Sequence, residues 1–557
     1  MKTPSVANQY AAIGLNSVGR CLSMMDRNPL SPTFGCANRE YWLARSTDFP
    51  SAIAQYGILP MALAYSEPFE NNIYYKQPKI AAWLAAGMSY LSSIQHKDGS
   101  FDEFYPNERG WAGPTGFLLH AMVAGWKAVA PLLDVRDKER ISTTMLRAAK
   151  FLASNDEVGV LANHHAMALL PIAETMELFK AHHLEPLYEE RKKVFLDVCY
   201  DEGWCLEYDG VDPGYLSATV TFLARLDQAR PDPVLLDVAK KAIDFTKYFV
   251  YPDGHYGGTL GSRETFHFYS HGYELLGHEN PMALAQADFM LKSYAAGKSV
   301  TPHLQSDRYF VYRIPEFLFS ARDAAPRPEV LPSLPWQENN NQQFLFPEAG
   351  IWGGRRGNYY AIANLARGGV FKCFRLNDNG VEGGIPLASD CSMSGIMPDG
   401  TVFTTAWCDP DRNFEAHGVE ANVHARGLEL HTQTFDPFKM TVFRAGMLAL
   451  GWHQKSAYHL KGLIRKVLML RNTTVPVQLH RHMKLSPEGF VVTDRITVAK
   501  GTRLQRLILG EELPVRYVPQ SRYFQPLELE VSGRELTPSE LDQLKGQGEI
   551  TFQRVLS

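Results

Sequence analysis

The sequence has no run of 18 consecutive apolar residues, no surplus of basic charge and no paired-cysteine motif. Each absence removes a class of function. A bilayer-spanning helix needs roughly 20 apolar residues in a row, so no membrane partner is expected. Lys and Arg number 56 against 60 Asp and Glu, a net charge of -4. That is not the basic footprint of a nucleic-acid binder. The 7 cysteines, at positions 21, 36, 199, 205, 373, 391 and 408, are odd in number and form no Cys-x-x-Cys pair. A disulfide framework and a zinc ribbon are therefore not expected. The opening stretch MKTPSVANQYAAIGLNSVGRC lacks the apolar core of a signal peptide, which makes a soluble, cytoplasmic protein the expectation. No phosphate-cradling glycine loop and no serine elbow stands out.

What is present is a chain of 557 residues, 45% hydrophobic and 11% aromatic. That is ample for a large core, and the aromatics suit either such a core or a cleft where sugar rings stack. Helical spacing governs the first part. Ile80, Trp83, Leu84, Met88, Leu91 and Ile94 predict a helix over 76–95 that starts near Pro78 and stops at Asp98-Gly99-Ser100. Further helices are predicted near 113–131, 139–154, 159–182, 184–199, 213–229, 234–249, 281–296 and 309–321. An acidic-Gly-aromatic loop recurs between them: Asp98-Gly99-Ser100-Phe101, Asp201-Glu202-Gly203-Trp204 and Asp253-Gly254-His255-Tyr256. This weak repeat of helical hairpins fits a closed toroid or an open solenoid.

Residues 323–343, rich in Pro and polar at their end, break helices and mark a linker. Beyond it the period changes to short strands such as 370–376, 401–405 and 490–496. Turns are expected at Asn379-Gly380, Asp399-Gly400 and Glu488-Gly489. The expected architecture is an α+β multidomain chain. A helical (α/α) toroid over 1–322 and the linker 323–343 precede an antiparallel β-sandwich over 344–557.

Three stretches carry candidate chemistry. Asn163-His164-His165 stands at the head of a long apolar helix, where polar groups are costly unless hydrogen-bonded. A second stretch is Glu207-Tyr208-Asp209-Gly210-Val211-Asp212-Pro213-Gly214-Tyr215. Here Asp212 reads as a helix cap, Pro213 as the first helical residue and Tyr215 as a first-turn side chain. The third runs from Gly261 to Glu274 and holds Arg263, a planar fork suited to a carboxylate, with His267 and His271 four residues apart. If helical, those two share a face. No third ligand accompanies them, so neither a metal nor any other cofactor is expected. Arg39, Tyr41 and Trp42 form a polar-aromatic stretch, and Tyr105 follows Asp102 and Glu103 in an acidic loop. His480 and His482 flank Arg481 on a predicted strand and share its exposed face.

This arrangement resembles the heparinase II/III-like family and its relatives among alginate and glycosaminoglycan lyases. The resemblance rests on the order of the two halves and on Asn163-His164 followed 51 residues later by Tyr215. It implies a toroid joined to a sandwich, and a lyase that cleaves a uronate-containing glycan by β-elimination. It also implies roles. Asn163 and His164 would neutralise the substrate carboxylate and Tyr215 would act as acid or base. His271 would be a further proton-transfer group, and His165, Arg263, His267, Arg39, Tyr41, Trp42 and Tyr105 would be binding groups. The partner would be an acidic polysaccharide or oligosaccharide. One departure stands out. The family brings a His from an early strand of its β-domain, whereas Asn358–Gly369 contains none, and His417 and His424 come later. Two alternatives remain open. One is a toroid glycoside hydrolase using two carboxylates drawn from Asp102, Glu103, Glu207 and Asp212. The other is a non-catalytic saccharide-binding factor.

Overall fold

A computed structural model describes residues 4–109, 112–155, 161–338, 341–377, 383–430, 436–468, 473–511, 524, 526–529 and 533–557. Helices dominate up to Arg322. They are α1 (Val6–Met24), α2 (Ile58–Ser66), α3 (Pro78–Ile94), α4 (Ala112–Val129), α5 (Val135–Ser154) and α6 (Ala162–Phe179). They continue with α7 (Glu185–Leu196), α8 (Pro213–Ala229), α9 (Pro233–Thr246), α10 (His271–Leu275), α11 (Pro281–Ala295) and α12 (Phe310–Arg322).

Two kinds of helix alternate. The even-numbered ones are apolar or small nearly all round: every residue of α8 from Pro213 to Leu226 is buried. The odd-numbered ones include amphipathic helices such as α5, which buries Ile141, Met145, Ala148 and Leu152 on one stripe. The all-buried helices form an inner ring. α2 packs on α4, α4 on α6, α6 on α8, α8 on α10 and α10 on α12, and α12 packs back on α2. That last contact closes the toroid and excludes a solenoid. Connections entering the inner helices are long, including 25–57, 197–212 and 247–270. Those leaving them are short, such as 130–134 and 230–232. The long loops therefore gather on one rim.

The recurring acidic-Gly-aromatic loops lie on that rim. Gly99 and Gly203 have φ of +98° and +92°, a region that disfavours any side chain. Each tucks against the next outer helix, where a Cβ would strike the carbonyl of Arg147 or Lys241. The repeat is thus a docking turn between successive outer helices.

The β-half holds β1 (Gln343–Phe346), β2 (Ile351–Arg356), β3 (Tyr359–Asn364), β4 (Val370–Leu376) and β5 (Gly384–Asp390) in one antiparallel sheet, in sequence order. A second sheet of nine strands contains β6 (Met393–Ile396), β7 (Val402–Thr404), β8 (Phe414–His417), β9 (Glu420–Leu430), β10 (Thr474–Ser486), β11 (Gly489–Val498), β12 (Arg506–Leu509), β13 (Arg534–Glu535) and β14 (Glu549–Leu556). The helical hairpin α13 (Pro437–Leu450) and α14 (Gln454–Leu468) leaves this sheet between β9 and β10, and α15 (Pro538–Gln547) precedes β14. Turns form at Asp399-Gly400 and Glu488-Gly489 as expected, while Asn379-Gly380 lies outside the described residues.

The inner strands of the first sheet, β2 to β4, are buried on both sides. Alternate residues of β3 face opposite ways: Tyr360 and Ile362 join the helical core, Ala361 and Ala363 the core shared with the second sheet. The molecule is therefore three layers deep at this point. Between the sheets, Arg481 is fully buried and bonds Asp494 of β11 at 2.7 and 3.0 Å and Asp390 of β5 at 2.7 Å. Alternation along β10 sends Arg481 inward and its neighbours His480 and His482 outward, where both are half-buried.

The toroid joins the first sheet through polar contacts with little solvent access. Buried Arg367, just after β3, meets Glu264 at 2.7 Å, and the Asn364 amide donates to the Leu260 carbonyl at 2.8 Å. Trp336, in the Pro-rich segment, is fully buried and donates its ring N–H to the Val250 carbonyl at 3.1 Å.

The docking turns give a stability test. Gly203→Ala is expected to cost about 1–3 kcal/mol from the left-handed backbone alone, and more if Lys241 cannot yield. Gly446→Ala is expected to be neutral or to stabilise by up to about 1 kcal/mol, because Gly446 lies inside α13 with nothing near its Cβ. Urea unfolding of both variants checks the contrast.

Candidate functional site

The first turn of α6 has no local side-chain cap, because Leu161 occupies that position. Glu207, 44 positions after Asn163, does the job. The Glu207 carboxylate accepts from the Asn163 backbone N–H at 2.5 Å and from its side-chain amide at 2.9 Å. A carboxylate at a helix N-terminus is favoured by the unpaired N–H groups and the helix dipole. Asn163 is thereby fixed in orientation and 3% exposed.

Asp212 organises the next helix. It caps α8 by accepting from the Tyr215 N–H at 3.1 Å, with Pro213 in the first turn. Its other oxygen accepts from the backbone N–H groups of Arg263 at 3.1 Å and Thr265 at 3.3 Å. Burial raises the Asp212 pKa, opposed by these hydrogen bonds. Ser262 donates to the Glu207 carbonyl at 2.7 Å. Arg263, 4% exposed, lays its guanidinium 4.1 Å from the Tyr208 ring centroid and lies 3.6 Å from Asp209. Asn163, Glu207, Arg263, Asp212 and Tyr215 thus belong to one hydrogen-bonded cluster at the N-terminal ends of α6 and α8. His164 sits beside it, its ring over Gly113 and edge-on to Phe117 at 6.3 Å. His165 is buried on the same turn.

Other sequence candidates occupy the same rim without joining this cluster. Trp42 donates to the Met24 carbonyl at the end of α1 at 2.8 Å, Tyr41 is half-buried and Arg39 is exposed. Tyr105 packs edge-on against Phe443 of α13 at 5.1 Å. The helical hairpin, which the strand-like reading of this half passed over, also reaches the rim through Arg444 to Asp48 at 3.3 Å and Gln454 to Asn155 at 3.3 Å. Its sequence signal is the Asp436-Pro437 cap, of the same kind as Asp212-Pro213.

His267 and His271 do not share a helix face. His267 lies in an irregular segment alongside α8 and His271 begins α10. Burial and nearby Arg313 push the His267 pKa well down, and its ring faces Gln305. His271 contacts Arg225, ten residues beyond Tyr215, or about 15 Å along α8. It accepts from the Arg225 Nε–H at 2.9 Å and is 2.7 Å from Asp323. That places it away from the rim cluster.

Of the four carboxylates proposed for hydrolysis, Asp102, Glu207 and Asp212 hold backbone N–H groups in place. Asp102 accepts from Asn107 and Glu108 N–H groups at 2.8 Å and contacts His96 at 2.8 Å. Glu103 is buried and lies 3.5 Å from Arg308. Glu207 and Asp212 are 1% and 0% exposed. Among the described residues, no group of His, Cys, Asp and Glu is arranged to hold a metal, and no helix is long and apolar enough to cross a membrane.

His271 yields a pH prediction. Burial lowers its pKa to about 3, against the opposing pull of Asp323. Between pH 6.5 and 3 the unfolded chain therefore binds a proton that the folded one does not, and stability falls as pH falls. The full span is up to about 5 kcal/mol. His271→Asn, which keeps an acceptor and a donor, is expected to flatten the dependence of unfolding free energy on pH across this window. An unchanged slope would contradict it.

No protein-family model matches the chain, and no curated protein sequence matches it. Among solved structures it is similar to one described as heparinase III, at 11% identity and a TM-score of 0.43, covering 100% of this chain and 83% of that one. It is similar to a heparan sulfate lyase mutant from Pedobacter heparinus at 9% identity and TM-score 0.40, over 91% of this chain and 71% of that one. A D-mannose isomerase matches at 12% identity and TM-score 0.36, over 58% of this chain and 99% of that one.

Proposed function

We propose that the rim at the N-terminal ends of α6 and α8 is the active site of a lyase. It would cleave a uronate-containing polysaccharide or oligosaccharide by β-elimination. The observation that carries this reading is the bonded cluster joining Asn163, Arg263 and the first turn that bears Tyr215. Its residues carry amide, guanidinium and phenol side chains, with the His164 imidazole beside them, while Asp102, Glu207 and Asp212 are committed to backbone N–H groups.

β-Elimination needs that set. The C5 proton of a uronate is a poor acid while its carboxylate is charged, because abstraction builds a dianionic enolate. Preorganised donors lower that barrier. The Asn163 amide carries two N–H groups. Glu207 takes one and fixes the plane of the other, which with His164 would meet the carboxylate. Tyr215 would take the C5 proton and return a proton to the departing O4. The C5–H pair becomes the C4=C5 bond, the C4–O4 bond breaks, and no water is consumed. Arg263, His165 and His267 would bind neighbouring parts of the sugar, with Arg39, Tyr41, Trp42 and Tyr105 further along the rim. A proton-transfer role for His271 fits poorly with its distance along α8 and its ties to Arg225 and Asp323.

The bonds that tie the Glu207 and Asp212 carboxylates to backbone N–H groups disfavour the hydrolase alternative, since paired carboxylates must be free to flank the scissile bond. Incubation with a panel of uronate oligosaccharides tests the proposal. The expected result is rising ultraviolet absorbance from a C4–C5 unsaturated uronate. Tyr215→Phe is expected to lower kcat by about 10²–10⁴-fold, and Asn163→Ala by about 10²–10³-fold. New reducing ends without the chromophore, or a Tyr215→Phe variant of full activity, would sink it.

A further inference from the structure

Between α7 and α8 the chain makes a short hairpin, and two cysteines face each other across it. Cys199 and Cys205 are partners in an isolated antiparallel bridge. The Tyr200 N–H donates to the Trp204 carbonyl at 2.8 Å, and the Leu206 N–H donates to the Val198 carbonyl at 2.9 Å. These bonds lie on either side of the cysteines, so the pair occupies a non-hydrogen-bonded position of the ladder. Facing Cα atoms in that position are about 4.5 Å apart. Disulfides span Cα separations of about 4.4–6.8 Å, so the backbone here is already placed for one. The two sulfurs are in contact at 2.8 Å, and both are free thiols.

The rest of the hairpin holds this geometry in place. Gly203, with φ of +92°, closes the turn by donating to the Tyr200 carbonyl at 3.0 Å. The Tyr200 and Trp204 rings stack with 3.9 Å between centroids and 3° between planes. At the tip, Glu202 accepts from the Trp204 indole N–H at 3.2 Å. It also accepts from the backbone N–H groups of Glu348 and Ala349 at 2.9 and 2.8 Å, where β1 turns into β2. Two residues past Cys205 stands Glu207, which orients Asn163. The hairpin is therefore a joint between α7, the first sheet and the rim cluster.

Packing alone accounts for one cysteine of the two. Cys205 is buried, and a buried thiol behaves as a small hydrophobe. Cys199 is half-buried, reachable from solvent and directly opposite. We propose that Cys199 and Cys205 are a reversible thiol–disulfide pair, oxidised in place by a low-molecular-weight disulfide and reduced again by thiols.

The exchange runs in two steps. The Cys199 thiolate attacks one sulfur of the oxidant, forms a mixed disulfide and expels the first thiol. Cys205 then attacks the Cys199 sulfur and expels the second. The protein gives up two electrons and two protons, and the S–S bond of the oxidant becomes two thiols. Burial, and after it the hydrogen bond with Cys199, hold the Cys205 thiol well above its ordinary pKa. It is thus the poorer first nucleophile and the one that resolves the mixed disulfide. The new bond closes the hairpin covalently just before Glu207.

Mass spectrometry of the full chain tests the proposal. The reduced chain is incubated with oxidised glutathione, its free thiols are alkylated, and it is digested with trypsin. No Lys or Arg lies between Lys193 and Arg225, so residues 194–225 leave as one peptide with both cysteines. That peptide is expected to lose two hydrogens in mass and to take no alkyl label. Excess reduced glutathione is expected to restore both thiols. Cys205→Ser is expected to trap one glutathione on Cys199, and Cys199→Ser to trap none on Cys205, with circular dichroism confirming that both variants are folded. A peptide that stays fully alkylated, a glutathione adduct that persists in the unsubstituted chain without the internal bond, or trapping in Cys199→Ser and not in Cys205→Ser would overturn the proposal.

Discussion

The inner strands of the first β-sheet, β2 to β4, have no face left for water, and the rest of the molecule depends on that. A sheet of alternating pleat usually offers one side to the core and one to solvent. Here β3 sends Tyr360 and Ile362 into the helical core and Ala361 and Ala363 against the second sheet. Burial on this scale contributes roughly 25 cal/mol per Å² of apolar surface, which fuses toroid and sandwich into one packed body. Polar pins then fix the register. Arg367–Glu264 and Asn364–Leu260 attach the sheet to the loop that carries Arg263. A shift of the sheet would therefore reach the rim cluster through Glu264, the residue next to Arg263.

Within the toroid, the same economy of buried polar groups shapes both ends. At the rim, Glu207 and Asp212 satisfy helix N-termini and, in doing so, orient Asn163 and the backbone of Arg263. At the other end, Arg225, Glu316, His271 and Asp323 form a chain of bonds around Phe319. Removing one member of such a buried network strands its partner, typically at 3–5 kcal/mol for an ion pair. The inner helices can carry this polarity because they are otherwise apolar and closely ringed by their neighbours.

Local features were legible in the sequence. The Asp212-Pro213 cap follows from capping chemistry, and the Gly99 and Gly203 turns from the need for left-handed backbone. The change from helical to alternating period marks the passage from α12 to β1. Long-range features were not legible. Ring closure rests on α12 meeting α2, and no spacing along the chain encodes that contact. Asn163 stands visibly at the head of its helix, yet the group that caps that helix is Glu207, which only the fold brings near. His267 and His271 fit a helical spacing, but the segment before α10 is held extended against α8 by Ser217 and Thr221. The α13–α14 hairpin was hidden because its surroundings alternate as strands.

Where a uronate carboxylate settles decides whether the rim cluster is the active site. A crystal structure of the Tyr215→Phe variant soaked with a uronate oligosaccharide measures this directly. The expected result is a carboxylate within hydrogen-bond distance of the Asn163 amide, with the sugar's C5 facing residue 215. A saccharide bound elsewhere on the rim, or one whose carboxylate points to solvent away from Asn163, would contradict it.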